Sequence, residues 1–142
     1  MMTLKDNKYT SITLDTTIPA LITFIKKPMI GQSFRKEFED GLMLYAQKSR
    51  ELDQLGWIIN FGKMSAFKAD DQDWMHNEWN RTLAKAGLTH LAIVMPESIF
   101  GQIAVKRYVA QKAEFTIQLF DKFEEARQWL DKTNKTIWLR EA

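Results

Sequence analysis

Two histidines are the only imidazoles in this chain, and it contains no cysteine. Acid–base or nucleophilic chemistry would therefore fall to His76, inside a helical pattern, or His90, at the head of a strand. A Ser or Thr nucleophile needs a base beside it and a third group to hold that base. No Gly-x-Ser-x-Gly turn accompanies either histidine. The absence of cysteine also excludes a disulfide framework and a thiolate zinc site. Metal ligands gather only in Asp70-Asp71-Gln72-Asp73-Trp74-Met75-His76-Asn77-Glu78, where Asp73 and His76, three apart, can share a helix face. Carboxylates also collect at helix starts because unpaired N–H groups and the macrodipole favour negative charge there. With no second histidine or matching cluster nearby, the stretch reads as a helix start, and His76 as a surface residue. Glycines at 31, 41, 56, 62, 87 and 101 form neither a Walker loop nor a Gly-x-Gly-x-x-Gly turn. No catalytic residue, metal or cofactor is expected.

Charge excludes further classes. Twenty basic residues against 18 acidic ones leave +2, too even to point to nucleic acid or an anionic membrane. Of the basic clusters Lys26-Lys27, Arg35-Lys36, Lys48/Arg50 and Lys106-Arg107, the second and third have acidic neighbours, and all four read as solvated faces. The apolar runs fall far short of the roughly 20 residues of a membrane span. The polar stretch from Met1 to Asp6 carries no signal-peptide pattern, so a cytoplasmic location is expected.

The elements that would hold any site follow from periodicity. Tyr9 to Leu14 and Ala20 to Ile25 read as a hairpin, and Ser33 to about Arg50 as a helix with Phe34, Phe38, Leu42 and Tyr45 on one face. Trp57 to Asn60 is a buried strand, followed by a loop from Phe61 to Lys68. A helix from about Asp70 to Ala86 buries the stripe Met75, Trp79, Leu83 and Ala86 and ends at Gly87. Leu91 to Met95 is a strand, Ser98 to Lys112 a helix weakened by Gly101 near its start, and Phe115 to Phe120 a strand. Asp121 and Glu124 form a capping box for a last helix that buries Phe123, Ala126 and Leu130. Ile137-Trp138-Leu139, within Lys135 to Ala142, suggests a docked strand. Strands alternating with helices predict an α/β domain with a sheet parallel in its later part. Its functional edge lies beyond the carboxyl ends of the strands. That edge holds Phe61 to Asp71, Pro96 to Gly101, and Asp121. Trp74 lies off the buried stripe, either tucked under a loop or half-exposed beside three carboxylates as an anchor for a partner.

Trp57-Ile58-Ile59-Asn60, then Asp71-Gln72-Asp73-Trp74 with Trp79 and Ala86-Gly87-Leu88, make one recognisable run. Ala92 to Phe100 and Phe123 to Leu130 complete it. On these segments the chain resembles the SpoIIAA-like (STAS-like) family of small bacterial domains. The resemblance implies a single domain spanning 1–142, with a core over about 9–131 and an extension over 132–142. Its expected architecture is a mixed sheet of about five strands flanked by four helices. It also implies a non-enzymatic regulatory or interaction domain that binds a bacterial regulatory protein through the second helix and its preceding loop. The partner-binding residues would be Ser65, Lys68, Asp70, Asp71, Asp73 and Trp74. In STAS domains that antagonise anti-sigma factors, a phosphorylatable Ser or Thr stands where that loop enters the helix. Here Ala69 or Asp70 stands there, a departure that removes the usual phospho-switch and leaves fixed negative charge at Asp70 and Asp71. The same likeness extends to the CRAL-TRIO lipid-carrier fold. The alternative it implies is a carrier or sensor of an apolar small molecule, its pocket lined by Phe61, Phe67, Met95 and Phe100. A homodimer through the tail around Trp138 is a third reading.

Overall fold

The structure is a computed structural model that describes the backbone of residues 1–141 and the side chains of residues 1–135. Its strands are β1 (Met2–Asp6), β2 (Thr10–Asp15), β3 (Ala20–Ile25), β4 (Gly56–Asn60), β5 (His90–Val94) and β6 (Thr116–Phe120). Its helices are α1 (Gln32–Ser49), α2 (Ala69–Trp74), α3 (Asn80–Lys85), α4 (Ile99–Ala110) and α5 (Phe123–Glu141). A π turn over Met75–Trp79 joins α2 to α3, so the three pieces run on as one rod. The six strands lie in chain order. β1, β2 and β3 pair antiparallel, and β3 to β6 pair parallel. The chain is an α/β domain, and no described helix is long and apolar enough to cross a membrane.

Alternation along the central strands builds two cores. Leu21 and Ile25, Trp57 and Ile59, and Leu91 and Ile93 face the larger one, with the buried side chains of α1, the rod and α4. Their sequence neighbours Ala20, Ile22, Ile58, Ala92 and Val94 face the smaller one, which Ala126 and Leu130 of α5 cover. Because parallel strands joined by right-handed crossovers and laid down in one direction place their connecting helices on one face, the last helix is left to cover the other. Both faces are then dry, and β3 to β5 read as continuous apolar runs.

The rod shows how local sequence fixes a long element. Met75, Trp79 and Leu83 are fully buried, while Ala86 is only half-buried. At its end Leu88 N–H donates to the Leu83 carbonyl and Gly87 N–H to the Ala84 carbonyl, both at 3.1 Å. Gly87 takes φ of +102°, which closes a Schellman motif that a side chain would strain.

Three expectations are corrected. Met2–Asp6 is a sixth strand rather than a polar lead-in; it pairs β2 as an edge, with its side chains exposed or half-buried. The segment from Lys135 onward is not a docked strand, because α5 continues to Glu141. Ala126, Leu130 and Asn134 repeat every fourth residue and are all buried, so the helical period carries on. The Asn134 amide donates to the carbonyls of Ile18 and Pro19, each at 3.3 Å. The Trp138 side chain, on which the homodimer reading rests, lies outside the described residues. Finally, α5 begins at Phe123, so Lys122, whose carbonyl accepts from Ala126 N–H, stands at the cap position expected for Asp121.

Candidate functional site

The carboxyl ends of the four parallel strands feed four connections onto one edge, before α1, α2, α4 and α5. Backbone hydrogen bonds tie the last three together. Phe61 N–H donates to Val94 O at 3.0 Å, Glu97 N–H to Gly62 O at 3.1 Å, and Met95 N–H to Phe120 O at 2.8 Å. Ser98 caps α4 through its hydroxyl, and the Gln102 amide reaches back to the Pro96 carbonyl at 3.0 Å. Gly101 is what lets these pieces meet. A Cβ there would stand 2.7 Å from Pro96 Cβ and 2.9 Å from the Met64 carbonyl. The residue that weakens α4 by propensity is required by packing. Gly101→Ala is expected to cost about 1–3 kcal/mol through overpacking, read as a lower urea midpoint at unchanged slope; a neutral result would contradict this close approach.

Beside this edge, α2 places the expected partner-binding residues unequally. Asp70, Asp73 and Lys68 are exposed, and Ser65 is half-buried. Asp71 belongs to the fold instead: its side chain is 3% exposed and Oδ1 accepts from Arg35 Nε at 2.9 Å. Its other oxygen, Oδ2, is shielded and has no partner among the described residues. Hydrogen bonding to Asp71 raises the already high pKa of Arg35, against opposing desolvation. The same guanidinium lies 5.6 Å from the centre of the Trp74 ring. Trp74 is half-buried and packs its inner face on the larger core. Arg35, 36 positions upstream of Asp71, was not singled out from the sequence, where nothing marks it as the residue that holds this corner. The adjoining Gln72 is also buried and donates to the Phe67 carbonyl at 2.9 Å, which fixes the loop where it enters the helix.

The four residues of the expected apolar pocket are divided between core and surface. Phe61 and Phe67 are buried with ring centroids 6.1 Å apart, and Phe67 stacks on Phe34 at 5.0 Å. Met95 is half-buried against the same core, whereas Phe100 is 72% exposed. Phe100 is flanked on α4 by exposed Ile99 and Ile103, and Ile30, in the connection before α1, is exposed as well. Helix α4 packs against α2.

His90 Nδ1 lies 3.0 Å from the Thr89 hydroxyl oxygen. His90 lies edge-on to Trp129 at 5.5 Å, and burial pushes its imidazole below the ordinary value. His76 is half-buried rather than on the surface, and its shielded Nδ1 has no partner among the described residues. The chain matches no family model, and comparison with curated proteins and with solved structures returns no match.

Proposed function

We propose that this chain is a non-enzymatic, STAS-like interaction domain that binds a bacterial regulatory protein on the carboxyl edge of its parallel strands. The observation that carries this reading is the exposed group Ile99, Phe100 and Ile103 on α4, a helix that packs against α2. Large apolar side chains left together in water and rimmed by charge are the usual mark of a protein-binding surface. The backbone ties across the edge support the reading, because a surface held in shape before binding loses less freedom on association. Asp70 and Asp73 supply the rim with permanent negative charge. No hydroxyl stands at Ala69 or Asp70 to be phosphorylated, so the domain binds without the switch that Ser or Thr provides in the family it resembles.

The test is affinity capture from bacterial lysate with the wild-type chain, Phe100→Ser and Trp74→Ala, each checked by denaturation. Phe100 is exposed, so Phe100→Ser is expected to leave stability within about 0.5 kcal/mol while lowering capture about tenfold or more, as loss of an aromatic anchor does. Trp74→Ala is expected to reduce capture as well. Undiminished capture by both folded variants would remove this surface from consideration.

A further inference from the structure

A groove of about 570 Å³ runs between the β1 edge and the outer side of α1. Leu4 and Lys5 of β1 form one wall. Asp40, Met43, Leu44, Ala46 and Gln47 of α1, with Arg50 at its carboxyl cap, form the other. Met43 is 71% exposed, and Leu4, Leu44 and Ala46 are half-buried. β1 pairs only β2, and its register shifts between Thr3 and Lys5. That break in the pairing, at Leu4, disfavours a further strand on the edge. The surface on offer is therefore a helix face and a groove.

The two ends of the helical wall carry opposite charges, each with open capacity. Lys5 and Lys36 both donate to Asp40 Oδ2, at 2.6 and 2.9 Å. Asp40 Oδ1 accepts from no described residue and, on a side chain 30% exposed, stays open to water. The exposed Arg50 guanidinium has no hydrogen-bond or ion-pair partner among the described residues. Asp40 and Arg50 stand ten positions apart, about 15 Å along the helix axis. Neither can reach the other within one chain.

We propose that the occupant of this groove is a second copy of the chain, joined as a two-fold dimer with the two α1 helices antiparallel. A two-fold axis at the level of Tyr45 sets each residue of one helix opposite the residue equally far beyond that point in the other. Asp40 then faces Arg50 of the second copy, Met43 faces Gln47, and Leu44 faces Ala46. The wall reads acid, apolar centre, base, and it complements itself when reversed, as a closed two-fold contact requires. The free Asp40 oxygen and the free Arg50 donors meet at both ends, and Met43 leaves water at the centre. None of these residues belongs to the carboxyl-edge surface, so the dimer stands or falls separately from partner binding.

One helix face and one strand make a small contact, at the weak end below about 1,200 Å², so a reversible dimer is expected over roughly the micromolar to millimolar range. Sedimentation velocity across that range tests the proposal, with the fold of each variant checked by urea denaturation. The wild type is expected to pass from monomer to dimer as its concentration rises. Met43→Lys, which brings two ammonium groups into the apolar centre, is expected to weaken the dimer about tenfold or more. Arg50→Glu, which sets carboxylates together at both ends, is expected to weaken it about tenfold as well. Asp40→Lys sets cations together there and is expected to do the same. An equimolar mixture of Arg50→Glu and Asp40→Lys is expected to recover the dimer, because every charge pair in the mixed species is again of opposite sign. The proposal is overturned if the wild type stays monomeric throughout, if Met43→Lys or Arg50→Glu dimerises as tightly as the wild type, or if the mixture of folded variants associates no more tightly than either alone.

Discussion

Replacing Trp79 by alanine is expected to cost about 3–5 kcal/mol, a large share of the roughly 5–15 kcal/mol that a domain of this kind has in total. The indole is fully buried where three elements meet. It packs edge-on against Phe38 of α1 and tilted against Trp57 of β4, both at 5.3 Å, and its Nε1 donates to the Phe38 carbonyl at 2.9 Å. Trp57 is in turn stacked on Tyr45, whose hydroxyl donates to the Leu55 carbonyl at 2.6 Å. Removing one ring opens a cavity under two helices at once. Trp79→Phe, which keeps most of the apolar volume but not the donor, is expected to cost about 1–2 kcal/mol. Urea denaturation of the three proteins checks the order. A loss below about 1 kcal/mol for Trp79→Ala would show that the rod is not held to α1 through this residue.

Acid should release the other end of the sheet. Glu37 of α1 is buried and accepts from three donors on the β1–β2 hairpin: Lys5 at 2.9 Å, Asn7 at 3.0 Å and Thr10 at 2.6 Å. Burial pushes its carboxyl up, but the Thr10, Lys5 and Asn7 hydrogen bonds together outweigh it, leaving the group below its ordinary 4.5. Asp15, held by Thr17 and by Arg127 of α5, is likewise below 3.8 despite its burial. A carboxylate whose folded-state pKa is depressed contributes stability that is complete above its unfolded value and is lost as pH falls through the folded one. Stability should therefore be level above about pH 5 and drop as the pH falls below about 4. Glu37→Ala is expected to cost about 2 kcal/mol at neutral pH by leaving the buried Thr10 hydroxyl without its acceptor, and Glu37→Gln less. Both should flatten the acid limb. Denaturation at a series of pH values checks this. An acid limb of Glu37→Gln identical to the wild type would mean that Glu37 does not anchor the hairpin.

The fold was legible where one period ran without interruption. β2 and β3, α1, the rod and β4 to β6 stand within a few residues of where alternation or the fourfold spacing places them. β1 was missed because an edge strand with one covered face needs few apolar residues, and Met2 and Leu4 give only one repeat of the alternation. Ile137-Trp138-Leu139 misled because a short apolar run has no period of its own, while the spacing of Ala126, Leu130 and Asn134 that carries the helix onward includes a polar member. The π turn left no trace, since Met75 and Trp79 are four apart with or without it.

The candidate site was legible in its position and less so in its parts. The carboxyl edge follows from strand order. Asp70, Asp71 and Asp73 look alike in sequence, and only Arg35, distant along the chain, makes Asp71 internal and leaves the other two to face solvent. Phe61, Phe67 and Phe100 are equally apolar, yet two stack inside while the third stands in water because α4 turns it outward. Gly101 shows the limit of propensity: its cost to the helix was visible, whereas the Met64 carbonyl that leaves no room for a Cβ was not.

Hydrogen–deuterium exchange of the chain, free and in complex with a captured partner, tests the interaction surface most directly. The account predicts new protection over the loop and helix start at 61–74 and over 95–107, with little change on β1, β2 and the outer face of α5. Protection confined to the β1 edge or to α5, with the carboxyl edge exchanging as in the free chain, would contradict it.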